Sequence, residues 1–139
     1  DGLRGLGRVL ETVSTLALMC DPRDIGQTLG DGGSEGGERP PGRDPLGGRV
    51  GGFDPTVFLF DAHPGGVGLA PRIYERIAEL IERARALIER CPCADSCPAC
   101  VGPSEDSTVR KRTALDILIA LELGNATPIP ARVAGKAGF

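Results

Sequence analysis

Four cysteines fall within ten residues, in CPCADSCPAC at positions 91 to 100, spaced Cys91-x-Cys93-x3-Cys97-x2-Cys100. Thiolates at that density can surround one soft metal ion, and four of them complete the tetrahedron zinc prefers, at about 2.3 Å each. Calcium and magnesium want oxygen ligands, so sulfur alone points to zinc or to iron–sulfur chemistry. Pro92 and Pro98 each follow a candidate ligand and restrict the loop before any metal arrives. A site closed by four protein ligands leaves no position for water or substrate, so its role is structural and not catalytic. One structural zinc ion is the leading reading. An iron–sulfur cluster comes second, since four thiolates also ligate it. A redox dithiol at Cys97-Pro98-Ala99-Cys100 comes third, because such a motif belongs after a strand at the opening of a helix, and here it follows a long helix and another thiol pair. Cysteines that merely fill a core fit least, since the loop is polar.

Three further groups of residues could carry chemistry. PGGVGL, residues 64–69, sets Gly65, Gly66 and Gly68 before a helix start, where backbone N–H groups can cradle a phosphate of DNA. A tight turn is the better reading, because the dinucleotide fingerprint and the P-loop lysine are both missing. Asp61 and His63 flank that turn and invite acid–base chemistry. His63 is the chain's one histidine and no nucleophile accompanies it, so a turn-capping Asp beside an exposed His is preferred. Arg110, Lys111 and Arg112 form the one basic run. A solvated face is the default for them; neutralising a tetrathiolate centre and touching DNA phosphates are the alternatives.

The elements that must position these groups are mostly helical. Leu3, Leu6, Leu10, Val13, Ala17 and Cys20 lie at helical spacing over residues 3–20, with Gly5 and Gly7 weakening the first turns by about 1 kcal/mol each. Pro22 stops that helix, and CDPRDIG is a polar turn. Gly26 to Gly52 holds eleven glycines and three prolines with almost nothing apolar, which predicts a flexible insertion that cannot pack. Val57 to Phe60 reads as a short strand covered on both faces. Ile73, Ile77, Leu80, Ile81, Ala84, Leu87 and Ile88 stripe one continuous helix from about Leu69 to Arg90, with Pro71 in its first turn. Ser104, Glu105 and Asp106 predict the start of a last helix ending at Gly124, and residues 125–139 read as a loose tail. The expected fold is a mainly helical α+β domain spanning residues 1–139. Amphipathic helices pack on a small strand element, and the cysteine site joins the long helix to the last one.

Composition narrows the function. The chain has 139 residues, a net charge of −3, four Phe, one Tyr and no Trp, so its core must be aliphatic. A free-standing nucleic-acid binder is normally basic, so contact with DNA requires a local patch or a neighbouring domain. No apolar run approaches the roughly 18 residues a membrane span needs, and no membrane partner is expected. The absence of an export signature suggests a reducing, cytoplasmic setting. The opening DGLRGL lacks Met, which suggests a piece of a longer chain.

Three stretches, LMCDPRDIG, FLFDAHPGGVGLA and CPCADSCPACVGP, appear in the order found in the MrfA-like zinc-binding domain, which this chain resembles from about Leu3 to Leu123. That domain lies on the C-terminal side of DEAD/DEAH-type superfamily-2 DNA helicases linked to repair. The resemblance implies zinc ligands at Cys91, Cys93, Cys97 and Cys100, and a buried reduced thiol at Cys20. Family members often carry Gly before the third cysteine, where this chain has Ser96. The resemblance also implies that the parent is an ATP-dependent helicase whose motor domains and DNA are the partners. This chain carries neither a G-x-x-x-x-G-K-[ST] loop nor a DEAH-type motif, so ATP would bind in the parent's motor. The readings that compete are a stand-alone zinc-stabilised protein-interaction module and a thiol or iron–sulfur redox protein.

Overall fold

The computed structural model describes residues 1–31, 55–104 and 108–123. Its elements run α1 (Gly2–Leu18), β1 (Ile25–Asp31), β2 (Pro55–Asp61), α2 (Leu69–Glu75), α3 (Ile77–Arg90) and α4 (Arg110–Leu123). The mainly helical α+β class expected from the pattern is the class observed. Helix α1 is the centre: it packs against α3, α4 and both strands. Its apolar stripe supplies Leu6, Val9, Leu10, Val13 and Leu18 to the core, where they meet Ile73, Leu80, Ala84, Ile88, Ala114 and Leu118. Each Leu, Ile or Val among them, removed from water, contributes about 1.5–3 kcal/mol. Met19 ends α1 in the left-handed conformation (φ 53°), its N–H donating back to Leu16.

Four expectations are corrected. The glycine-rich stretch packs at its beginning: residues 26–31 belong to β1, which pairs antiparallel with β2 from Ile25↔Asp61 to Asp31↔Pro55. Low apolar content concealed this strand. Gly26 and Gly30 are tolerated because the rings of Phe60 and Phe58 on β2 lie over them, and a Cβ on Gly26 would come within 2.5 Å of the Phe60 ring. Residues 32–52 of that stretch, and the tail at 125–139, lie outside the described residues. Second, β2 is covered on one face only. Val57 and Leu59 pack toward the core, while Phe58 and Phe60 stay 36% and 43% exposed.

Third, the single helix over residues 69–90 is two. Arg76 leaves helical geometry (φ −106°, ψ 14°) and separates α2 from α3. Its guanidinium donates to the Ala17 carbonyl at 3.0 Å and grips Glu79 through two nitrogens, at 3.0 and 2.8 Å. The break thus lets one arginine satisfy a carbonyl at the end of α1, which a propensity argument cannot see. Fourth, α4 starts at Arg110, with no acid in its first turn. Ser104 precedes it by six positions, and 105–107 lie outside the described residues.

Ser14 is fully buried in α1, and its hydroxyl has no hydrogen-bond partner among the described residues. An orphaned buried hydroxyl costs about 1–3 kcal/mol. Ser14→Ala is therefore expected to raise stability by about 1 kcal/mol, read as a higher urea midpoint at unchanged slope. A lower midpoint would mean that the hydroxyl is satisfied.

Candidate metal centre

The cysteine loop hangs between two helix ends. Cys91 terminates α3: its N–H still donates to the Leu87 and Ile88 carbonyls, while its own backbone turns extended (φ −70°, ψ 125°) and sends the chain away from the helix axis. The Cys100 N–H donates to the Cys97 carbonyl at 3.2 Å, closing a tight turn. The four Sγ atoms converge: Cys91–Cys93 3.6 Å, Cys91–Cys97 3.4 Å, Cys93–Cys100 3.5 Å and Cys97–Cys100 3.6 Å. All four lie within 4.8 Å of one another.

Those distances test the chemistry. Disulfides need about 2.05 Å, and all five cysteines are free. A tetrahedron with bonds of about 2.3 Å has edges of about 3.8 Å, close to what the sulfurs already span. A polynuclear iron–sulfur cluster would place irons and sulfides between the thiolates and force them much farther apart. The cage therefore fits a single ion. Burial supports a closed site: Cys100 is fully buried and packed with Val101 into the core, and the other three are half-buried.

Burial pushes the Cys93 thiol up to about 12, and the neighbouring thiols add to the effect. Burial also raises Cys100. A hydrogen bond from Cys91 brings Cys97 down to about 7, making it the group poised to become the first thiolate.

The basic run splits. Lys111 belongs to the loop: its Nζ donates to the Cys91 and Cys93 carbonyls at 2.6 and 2.5 Å, and its N–H donates to the Asp95 carbonyl at 3.0 Å. The first turn of α4 thus holds the cysteine loop from two sides. Arg110 bonds the Asp1 carboxylate and the Pro103 carbonyl, and Arg112 is exposed. Nothing in sequence spacing linked Lys111 to carbonyls 18 and 20 residues away.

At the glycine turn, Gly65, Gly66 and Gly68 all have positive φ (83°, 69° and 82°), which only glycine adopts without strain. The Asp61 carboxylate accepts from the N–H groups of Leu69 and Ala70 at 2.9 and 3.3 Å. Those are the α2 amides a phosphate would use, and an internal carboxylate occupies them. His63 Nε2 bonds Asp24 Oδ1 at 2.5 Å, and that bond holds the Asp24 carboxyl below its usual range. Asp61 and His63 therefore fasten different partners. Cys20 is free and half-buried, its thiol raised first by burial, with Sγ 4.0 Å from the Thr15 carbonyl.

Fold and site together define a small α+β domain built round a closed four-cysteine metal cage. The family model of the MrfA Zn-binding domain matches residues 6–101, and the chain belongs to that family. It is 31% identical over 116 residues, 84% of its length, to an uncharacterised ATP-dependent helicase, YprA, of Bacillus subtilis. It is 33% identical over 75 residues to the ATP-dependent helicase HRQ1 of Saccharomyces cerevisiae, half of this chain and 7% of that one. A crystal structure of the DUF1998 helicase MrfA bound to DNA superposes with a TM-score of 0.65 at 30% identity, covering 86% of this chain and 14% of that one. A second, with DNA and AMPPNP, gives 0.59. The chain spans 13% of the Bacillus helicase. Among the described residues, no helix is long and apolar enough to cross a membrane.

Proposed function

We propose that this chain is the structural zinc domain of an ATP-dependent DNA helicase acting in repair, with Cys91, Cys93, Cys97 and Cys100 as the ligands of one zinc ion. One observation carries the reading: four sulfurs at near-tetrahedral spacing lie where the end of α3 meets the start of α4. The family supports zinc as the metal, and the helicase relatives support the parent's class. Zinc bound there would supply no reaction step; it would fix the angle between two helices. ATP binding and unwinding fall to the parent's motor, with this domain as a rigid fitting that supports its architecture and its handling of DNA. Lys111 completes the fitting by holding the loop backbone in the conformation that presents the sulfurs.

The test is elemental analysis of purified protein beside an absorption spectrum, with chelator-treated protein followed by circular dichroism. One zinc per chain, no visible band and helix loss on stripping are expected. Iron with a charge-transfer band, or a metal-free chain whose helix signal ignores chelator, would overturn the reading and advance the redox alternative.

Two further results are expected. The bound form needs thiolates, whereas without metal Cys93 and Cys100 hold their protons at neutral pH and Cys97 gains one below about 7. Release of the ion thus returns at least two protons to the loop near neutral pH and at least three below about pH 7, so zinc affinity falls by at least about 100-fold per pH unit, steepening to at least about 1,000-fold on acidification. A chromogenic chelator titrated between about pH 8 and pH 5 measures this; a flat profile would exclude thiolate ligands. Lys111→Met keeps the side-chain stem and deletes the bonds to both carbonyls. It is expected to cost about 1–2 kcal/mol and to quicken zinc loss to chelator, while Arg112→Met leaves both unchanged.

A further inference from the structure

Beside the metal loop, α1, β1 and α4 enclose an open concavity of about 530 Å³ whose charged lining is Arg4, Arg8 and Arg110. Gln27 and Thr28 of β1 form one wall, and Val101 to Pro103 of the loop form another. The three arginines come together for a packing reason. Arg4 and Arg8 sit one turn apart on α1 and share a face. Gly5 lies beside them, and its missing side chain lets the Arg110 stem lie across the helix, Cγ 3.0 Å from where a Cβ would stand. Gly102 (φ 79°) brings the loop against the Arg8 stem in the same way, at 3.3 Å.

The electrostatics favour an anion. Among the described residues no carboxylate lines the concavity. Asp1 holds Arg110 and Glu11 holds Arg8 from outside it. Arg4 and Arg8 are exposed, and exposed ion pairs are worth only about 0–1 kcal/mol, so an incoming phosphate can take over the Arg8 guanidinium at little cost. Among the described residues no aromatic ring lines the wall, which favours backbone contact over base stacking.

We propose that Arg4, Arg8 and Arg110 form a binding site for the phosphates of a single nucleic-acid strand, read without regard to sequence. A single strand fits better than a duplex because its flexible backbone can fold phosphates into a concavity that a stiff, convex double helix would only graze. This inference rests on the reading of the chain as part of a DNA helicase, and it adds a contact made by the domain itself. The wall from Val101 to Pro103 directly follows Cys100, so the metal cage also sets the shape of the groove.

The experiment measures binding of a fluorescent oligothymidylate of about a dozen nucleotides to the zinc-loaded chain by anisotropy at several salt concentrations. Arg110 is left intact because it also holds Asp1 and Pro103. The wild-type chain is expected to show a log–log salt slope near −2, since three contacts contribute about −0.7 each. Arg4→Gln/Arg8→Gln is expected to lose about 1.4 of that slope and bind about tenfold more weakly, with an unchanged circular-dichroism spectrum. The control pair Arg83→Gln/Arg90→Gln, on the α3 surface, keeps wild-type binding. Equal binding by wild type and Arg4→Gln/Arg8→Gln, or an equal loss in the control pair, overturns the site. So does a duplex binding as well as the strand, or inorganic tripolyphosphate competing as tightly as the strand. Zinc content measured on the same samples separates the two ideas. Normal zinc with no effect of the arginine pair sinks the groove alone, and the expected loss in a chain without zinc sinks the zinc reading alone.

Discussion

Cys100→Ser is expected to abolish cooperative folding near room temperature, or to lower the melting temperature by at least about 20 °C. Its sulfur lies 3.5 and 3.6 Å from those of Cys93 and Cys97, and the residue is fully buried beside Val101. Four-thiolate zinc supplies about 10–16 kcal/mol of apparent binding energy, whereas a whole domain is stable by only about 5–15 kcal/mol. The core among the described residues has fifteen buried apolar side chains, three of them Ala or Cys, and no aromatic ring. Such a core would leave little margin if the proposed metal were lost. Even a loss of about 4 kcal/mol moves the melting point of a domain this size by about 20 °C. The measurement is a thermal melt with zinc content determined beside it. Cys20→Ser is the control: that thiol lies outside the cage, and a change within about 1 kcal/mol is expected. Equal damage from both variants would show that the effect is generic loss of a thiol.

Gly5→Leu is expected to cost about 3 kcal/mol. A Cβ at Gly5 would already stand 3.0 Å from Arg110 Cγ, 3.1 Å from Val101 Cβ and 3.3 Å from Ala114 Cβ. The rest of a leucine side chain would have to separate α1 from α4 and from the metal loop at once. Gly5→Ala separates this cause from helix propensity. Its single methyl asks the neighbours to yield a few tenths of an ångström, while alanine returns about 1 kcal/mol of helix stability, so a result within about 0.5 kcal/mol of the parent is expected. Urea denaturation of both variants decides it. A destabilised Gly5→Ala alongside an undamaged Gly5→Leu would contradict the close approach. The same contact also predicts easier zinc release from Gly5→Leu, since Val101 follows the ligand candidate Cys100 directly.

Legibility in the sequence followed how local each determinant was. The cysteine spacing, the prolines beside it and the striped helices are carried by neighbours within a few positions; the four thiols cluster and the stripes are helical, as that spacing predicts. The clustering itself could be anticipated because four thiols within ten positions have few ways to avoid one another. Strand β1 was missed because five of its seven residues, Ile25 to Asp31, are glycine or polar, and the Phe58 and Phe60 rings across the ladder make glycine acceptable there. The break at Arg76 was missed because the apolar stripe continues through it, and the cause is a carbonyl at residue 17. Gly5 read as a weak point of a helix when it is a place where both α4 and the cysteine loop lie against α1.

By itself, then, the sequence determined the clustering of four thiols, the helical class and an aliphatic core, since residue type and short-range period suffice for these. Tertiary structure alone decided what the basic residues do. Lys111 holds the loop carbonyls, Arg110 crosses α1 to join Arg4 and Arg8, and Arg112 stays on the surface, although the three are consecutive in the chain. The physical reason is the helix period: successive residues point about 100° apart, so neighbours in the chain face different surroundings, and only the packed elements define what those surroundings are.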